Sequence, residues 1–135
     1  MASVYKEARI RARPEDVWDA LRDWGAVHER LVPGFVTDAR VDGADRLVTF
    51  FNGITVLERF VDLDDERRRL VWSAVGGVLT HHNACAQVFD DGDGDTHFVW
   101  IADLLPHEAA DTVDQMMERG TAVLKRTLEA AARPT

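Results

Sequence analysis

Between residues 35 and 104 the chain alternates between apolar segments and turn-forming residues, and this pattern constrains the fold more than any other feature. Six segments have the length and composition of β-strands: FVTDARV, RLVTFF, ITVLERFVDL, RRLVWSAV, HHNACAQVF and THFVWIADL. The residues between them favour tight turns, as Asp42-Gly43, Asn52-Gly53 and Gly76-Gly77 illustrate. Short turns connect antiparallel neighbours, so the pattern predicts an antiparallel meander of six strands.

A first strand and two short helices are predicted ahead of the meander. Residues 4 to 12 alternate well enough to form a strand with one face directed at water. Pro14, followed by two acidic residues, is typical of a helix start and predicts a helix over about residues 14 to 24. A second short helical piece is expected to end at Pro33-Gly34.

The last segment of the chain predicts one long amphipathic helix, from Pro106 to about Ala132. Its length is on the order of 40 Å, which is enough to cross a whole sheet. A strongly twisted sheet can wrap around such a helix, with either core or cavity between them. We expect Asp103 to cap this helix and His28 to be solvated. The apolar and small residues of the helix lie on one stripe: Val113, Met117, Gly120, Leu124 and Leu128.

Length and charge restrict the classes of protein and partner. With 135 residues the chain is expected to form one domain, residues 1–135. Its 16 basic and 24 acidic residues give a net charge of −8, which opposes binding to nucleic acid and to anionic lipid surfaces. One cysteine forms no internal disulfide and the amino terminus lacks a signal-like apolar run, so we expect a cytoplasmic protein. No segment approaches the roughly 20 apolar residues of a membrane span, so no stable membrane insertion is expected.

Four segments, taken in order, resemble one protein family. They are RPEDVWDALRDWGAV (13–27), NGITVLERFVDLDDERRRLVWSAV (52–75), DGDTHFVWIADLLP (93–106) and GTAVLKRTLE (120–129). Together with the element order they resemble the START-like or SRPBCC superfamily, and within it the polyketide cyclase/dehydrase and lipid-transport family. The resemblance implies an α+β helix-grip fold, in which a strongly curved antiparallel sheet wraps around a long C-terminal helix and two short helices follow the first strand.

The resemblance also implies a cavity between sheet and helix that binds a small hydrophobic ligand, lipid-like or polyketide-like, without a cofactor. Three functions stay open: a polyketide cyclase/dehydratase, a non-catalytic carrier, or an interaction protein with a filled cavity that acts as a homodimer. Relatives often carry a tryptophan just before the proline of the Pro33-Gly34 turn. Leu31 and Val32 stand there in this chain, so we expect a differently shaped pocket entrance.

The segment HHNACAQVF brings two histidines and the only cysteine of the chain within five positions. Side chains alternate along a strand, so His82 is predicted to share the apolar, inward face with Ala84, whereas His81 and Cys85 point outward. Two outward ligands are too few for a metal site, so no metal is expected. His82 is the first catalytic candidate because a pocket histidine titrates near neutral pH; an ordinary strand histidine is the alternative.

Glu58, in the segment TVLERF, is the second catalytic candidate. If Val56, Glu58 and Phe60 face inward, burial raises the pKa of this carboxyl toward the range that acid/base chemistry uses. A two-residue turn at Asn52-Gly53 would pair Leu47 with Glu58 and favours this orientation. The alternative is a partly exposed Glu58 paired with a neighbouring arginine.

The remaining prediction is an aromatic and aliphatic wall for the ligand. Trp72 and Trp100 alternate with apolar residues on their strands, so both are predicted to face inward, where they could stack a flat ligand or belong to the core. Gly120, in mid-helix, indicates close approach to the sheet or room left for a ligand. The predicted ligand-binding residues are Trp72, Trp100, Phe60, Phe51, Met117, Gly120 and Leu124.

Overall fold

The computed structural model describes residues 2–132, in which seven strands form one antiparallel sheet. The order across the sheet is β1-β7-β6-β5-β4-β3-β2. The predicted meander of six strands is therefore confirmed, and β1 completes the sheet by pairing with β7. The strands are β1 (Ala2–Ile10), β2 (Val36–Asp42), β3 (Asp45–Phe50), β4 (Thr55–Asp64), β5 (Arg69–Val75), β6 (His81–Asp90) and β7 (Thr96–Leu105).

Short helical segments connect β1 to β2, and a long helix follows β7. The first is α1 (Pro14–Arg22), and the chain continues into a 3₁₀ turn (Trp24–Ala26) and a π-helical turn (Val27–Leu31). After β7 come another 3₁₀ turn (His107–Ala109) and the helix α2 (Ala110–Ala131). α1 begins where the sequence predicts, because proline needs no N–H partner in the first turn and acidic residues there favour the positive helix end.

The helix α2 packs on the inner face of the sheet. Lys6 on the edge strand β1 forms two salt bridges to α2. Its ammonium nitrogen lies 2.8 Å from the carboxylate of Asp114 and 2.7 Å from that of Glu118. The predicted helix-grip fold is confirmed. The side of α2 that is buried consists of Met117, Gly120, Thr121, Val123, Leu124 and Leu128. The largest fully buried apolar side chains of the sheet are Ile10, Val48, Leu70, Phe98 and Leu104.

The register of the hairpin between β3 and β4 differs from the prediction by one residue. Glu58 lies opposite Arg46, and Leu47 lies opposite Leu57. The cause is the length of the turn. The N–H of Phe50 donates to the carbonyl of Ile54 at 2.9 Å, so the turn contains three residues, 51–53, and not two. The predicted pairing of Leu47 with Glu58 is therefore wrong, although Glu58 still faces inward.

Two further predictions about polar residues are wrong. Asp103 does not cap α2, because it lies within β7 and accepts a hydrogen bond from the hydroxyl of Ser3 on β1. The residue at the N-cap of α2 is Ala109, which has no side chain that can accept a hydrogen bond. His28 is largely buried and not, as predicted, solvated: its side chain is 19% exposed, and its enclosed Nδ1 has no hydrogen-bond partner within residues 2–132.

Candidate functional site

A pocket of about 500 Å³ lies between the inner face of the sheet and α2. A volume of this size is within the range of small-molecule sites. Most of the lining is apolar and includes Leu21, Val27, Leu31, Val32, Phe35, Val48, Phe50, Val56, Leu70, Trp72, Phe98, Trp100, Met116, Met117 and Leu124. The polar side chains that line it are Arg46, Asn52, Glu58, His82 and Thr112.

The pocket opens to solvent between two hairpins and the start of α2. Ile54, in the turn between β3 and β4, is 55% exposed, and Val78, in the turn between β5 and β6, is 72% exposed, although both line the pocket. Thr112 near the start of α2 is also an exposed lining residue. Leu31 and Val32, in contrast, are buried lining residues, so they shape the wall of the pocket and not this opening.

Four residues form a row across the inner face of β3, β4, β5 and β6. Arg46 lies opposite Glu58, Glu58 lies opposite Ala74, and the backbone N–H of Ala74 donates to Nδ1 of His82 at 2.9 Å. All four line the pocket, and we call them the polar row. Between Glu58 and His82 the row contains only the methyl group of Ala74, and we call the space above this methyl group the gap.

Arg46 and Glu58 form a buried ion pair at one end of the polar row. Oε1 of Glu58 lies 2.8 Å from Nε and 2.7 Å from Nη2 of Arg46. The remaining guanidinium nitrogen, Nη1, donates to the carbonyl of Trp24 at 2.9 Å, and the guanidinium carbon lies 3.6 Å from the centroid of the Trp24 ring. The charge of Arg46 is thus balanced by Glu58, and each of its three guanidinium nitrogens has a contact within the protein, as buried charges require.

Oε2 of Glu58 has a different environment. No hydrogen bond from residues 2–132 reaches it, and it is not among the enclosed polar atoms without a partner. It is therefore accessible from the pocket and can accept a hydrogen bond from a bound molecule.

His82 stands at the other end of the polar row. Its Nδ1 accepts the N–H of Ala74, so in the neutral ring the proton is on Nε2. Burial lowers the pKa of this imidazole, and the nearby carboxylate of Glu58 opposes that effect. Within residues 2–132 no hydrogen bond engages Nε2, which is not enclosed either. His82 therefore presents a neutral N–H donor to the pocket.

The apolar wall beside the polar row contains two tryptophans. The ring centroids of Trp72 and Trp100 are 6.2 Å apart with an interplanar angle of 42°. Gly120 faces this wall but is not a lining residue; a Cβ atom there would lie 3.1 Å from Cζ3 of Trp100 and 3.0 Å from Cε2 of Phe35. Gly120 thus allows α2 to approach the sheet closely, which was one of the two meanings predicted for it.

Besides Gly120, two other predicted ligand contacts, Phe60 and Phe51, lie outside the pocket lining, so these three predicted contacts are not supported. Phe60 is 37% exposed and meets Trp24 edge to face, with ring centroids 5.7 Å apart. Phe51 is 39% exposed and lies beneath the guanidinium of Arg119 at 3.8 Å. Neither side chain is therefore in position to contact a molecule inside the pocket. Phe51 lies in the turn between β3 and β4, and Phe60 lies on β4 beyond the stretch that pairs with β3.

The other predicted site residues do converge on the pocket: His82, Glu58, Trp72, Trp100, Met117 and Leu124 all line it. Sequence reasoning missed Arg46 and Ala74. The turn residues Phe51 to Gly53 are compatible with both a two-residue and a three-residue loop, and only the three-residue loop brings Arg46 opposite Glu58, so the local sequence does not identify Arg46.

Residues 2–132 contain no group of three or more His, Cys, Asp or Glu side chains placed to hold a metal ion. Over the same range, no helix has both the length and the apolar character needed to cross a membrane. Cys85 is a free, partly buried thiol on the opposite face of β6 from His82.

Sequence comparison identifies the family. A family model described as "Polyketide cyclase / dehydrase and lipid transport" matches residues 1–129. The chain belongs to this family. Among curated proteins no match was found.

Comparison with solved structures shows the same fold in proteins of low sequence identity. An uncharacterised protein from Bacillus thuringiensis has a TM-score of 0.85 at 18% identity, over 94% of this chain and 98% of its own. A solution structure from Thermobifida fusca has a TM-score of 0.80 at 24% identity, covering 98% and 93% of the two chains. Norcoclaurine synthase from Thalictrum flavum, solved with a transition-state analogue, has a TM-score of 0.71 at 18% identity, covering 96% of each chain. These similarities show the fold alone.

Proposed function

We propose that this protein binds a small, largely apolar molecule, lipid-like or polyketide-like, in the pocket between the sheet and α2. The observation that carries the proposal is the composition of the lining, in which a few polar groups interrupt a continuous apolar wall. Membership of a family described by polyketide cyclisation and lipid transport supports it. A cytoplasmic location is part of the proposal, since a free, partly buried cysteine needs no oxidising compartment.

Native mass spectrometry of the protein purified from its own host tests this proposal. We expect a mass above that of the chain, and the excess should disappear after denaturation as an apolar molecule is released. A pure, folded sample without such a molecule, and without a thermal shift on addition of lipids or aromatic polyketides, would contradict the proposal. The same spectra would reveal a homodimer, which the alternative of an interaction protein with a filled cavity requires.

A second candidate function is cofactor-independent cyclisation or dehydration of the bound molecule. It is favoured by the polar row, where a carboxylate and a neutral imidazole N–H face the same gap. In this reaction Glu58 takes a proton from the carbon next to a ligand carbonyl, while Nε2–H of His82 donates to the carbonyl oxygen as negative charge develops there. In dehydration, Glu58 then gives this proton to the β-hydroxyl group, which leaves as water. In cyclisation, the carbanion attacks a second carbonyl of the ligand, and Glu58 gives the proton to the alkoxide formed there.

Turnover and binding separate this reaction from simple transport. With an aromatic β-hydroxyketone as substrate, we expect Glu58→Gln and His82→Ala to lower turnover about 100-fold or more while affinity for the dehydrated product changes far less. The controls are Glu66→Gln and His81→Ala, which alter the same residue types at exposed positions. Binding of the substrate without turnover in the unmodified protein would contradict the catalytic proposal and support a carrier function.

A further inference from the structure

The charges around the pocket restrict the ligands that it can hold. Among the described lining residues Arg46 is the one Lys or Arg side chain; its charge is balanced by Glu58, and each of its guanidinium nitrogens contacts either Glu58 or the carbonyl of Trp24. His82 adds no positive charge near neutral pH, because burial lowers the pKa of its imidazole. An anionic group in the gap would therefore be desolvated beside the carboxylate of Glu58 without a free cation to bind it.

The hydrogen-bonding groups in the gap have opposite character. Nε2 of His82 carries a proton and has no acceptor within residues 2–132, whereas Oε2 of Glu58 is an acceptor that no donor in that range reaches. Ala74, which lies between them in the row, contributes only a methyl group. A molecule that satisfies both groups must offer an acceptor to His82 and a donor to Glu58 over a short distance.

We propose that the polar row selects neutral ligands that carry a carbonyl and a hydroxyl group close together, and that it rejects carboxylates and phosphates attached to the same apolar body. The carbonyl oxygen accepts from Nε2 of His82, and the hydroxyl donates to Oε2 of Glu58, above the methyl group of Ala74. This inference rests on the proposed function, because it names the ligand class of the same pocket.

The apolar body of such a ligand has a place beside the gap. Trp72 precedes Ala74 by two residues on the inner face of β5, and Trp100 lies close to it on β7. A flat ring system held against these indoles would point its polar substituents toward the row. The polar end of the ligand, at the polar row, thus determines selectivity, and the ring system against the indoles supplies most of the affinity.

Isothermal titration calorimetry with three matched probes tests the selectivity. Each probe is a naphthalene with a four-carbon chain: a ketone, the corresponding β-hydroxyketone, and the carboxylate. We expect the hydroxyketone to bind about three- to tenfold more tightly than the ketone, as one added hydrogen bond allows. The carboxylate should bind at least about tenfold more weakly than the ketone, because its charge is buried without a partner.

Two variants test the assignment of these effects to the polar row. Glu58→Gln removes the carboxylate and releases Arg46, so it should strengthen binding of the carboxylate probe about tenfold and abolish the preference for the neutral ketone. Ala74→Leu fills the gap and should remove the advantage of the hydroxyketone over the ketone. Glu66→Gln and Ala122→Leu make the same chemical changes at exposed positions and should leave all three affinities unchanged.

The outcomes separate this inference from the proposed function. Binding of the ketone together with equal or tighter binding of the carboxylate in the unmodified protein would overturn the selectivity and leave ligand binding intact. A failure of all three probes to bind the folded protein would overturn both. Unchanged probe preferences in Glu58→Gln and Ala74→Leu, with ketone affinity retained as a check of folding, would also overturn the role of the row.

Discussion

Nδ1 of His82 lies 2.9 Å from the backbone nitrogen of Ala74, where strands β5 and β6 part. Their regular pairing ends at Trp72 opposite Ala84, and beyond it the hydroxyl of Ser73 donates to the carbonyl of His82 before a bridge forms between Gly76 and Leu79. The imidazole therefore supplies the acceptor that the neighbouring strand would otherwise provide. His82 holds the two strands together through one ring nitrogen and leaves the other free for the pocket.

This double role predicts a specific pH dependence of stability. The pKa of His82 is lowered in the folded protein, so between that value and about 6.5 the unfolded chain binds more protons than the folded one. The contribution of His82 is fully present above about pH 6.5 and is lost as the pH falls. In urea unfolding from about pH 7.5 to 5.5, the free energy of unfolding should fall more steeply for the unmodified protein than for His82→Gln.

His81→Gln is the control for that experiment, because the His81 side chain is exposed on the other face of β6. It should keep most of the acid sensitivity of the unmodified protein, because burial is the main cause of the lowered pKa of His82 and the charge of His81 is a smaller one. Parallel pH profiles for the unmodified protein and His82→Gln would show that His82 does not cause the acid sensitivity.

The buried ion pair predicts a large effect of a single substitution. Arg46→Met leaves the carboxylate of Glu58 buried without its partner, so the free energy of unfolding should fall by about 3 to 5 kcal/mol. The double variant Arg46→Met/Glu58→Leu removes both charges and should recover most of that loss. Arg40→Met, at an exposed position on β2, should change stability by less than about 0.5 kcal/mol. A double variant no more stable than the single one would show that Arg46 stabilises the fold by other contacts.

The close approach of α2 to the sheet at Gly120 predicts that larger residues are not tolerated there. Gly120→Val places methyl groups against Phe35 and Trp100, so the free energy of unfolding should fall by about 1 to 3 kcal/mol. Ala122→Val, two residues along the same helix on its exposed side, should cost less than about 0.7 kcal/mol. Equal stability of the two variants in thermal unfolding would indicate that the rings move aside at little cost.

The positions of the tryptophans predict which of them report on a bound ligand. Trp72 and Trp100 line the pocket, whereas the indole nitrogen of Trp18 donates to Asp65 at 2.9 Å outside it. Decanol, which is neutral and does not absorb in the tryptophan band, should change the emission of the unmodified protein. Trp72→Phe and Trp100→Phe should each reduce that change, and Trp18→Phe should not. An undiminished response in the double variant Trp72→Phe/Trp100→Phe would place decanol elsewhere.

Much of the architecture can be predicted from the sequence, because it depends on residues that are neighbours along the chain. Side chains alternate along an extended backbone, so the inward face of β6 follows from the order of polar and apolar residues alone. His82 is therefore on the correct face before any strand is paired, whereas alternation along β4 leaves two orientations for Glu58, and the hairpin pairing that favoured the inward one has a different register in the structure. The stripe from Met117 to Leu128 identifies the buried side of α2 for the same reason, with a helical period.

Which side chains meet across the fold depends instead on register and on the curvature of the sheet. One additional residue in the turn after Phe50 places Arg46 opposite Glu58, and no local pattern distinguishes this register from the alternative. Phe51 and Phe60 resemble pocket residues in sequence, yet the ends of the hairpin carry them out of the lining. Alternation along a strand is a local property, and so the sequence alone establishes the elements and most of their faces. The ion pair and the gap beside Ala74 join residues from four strands, and only the packed sheet brings them together.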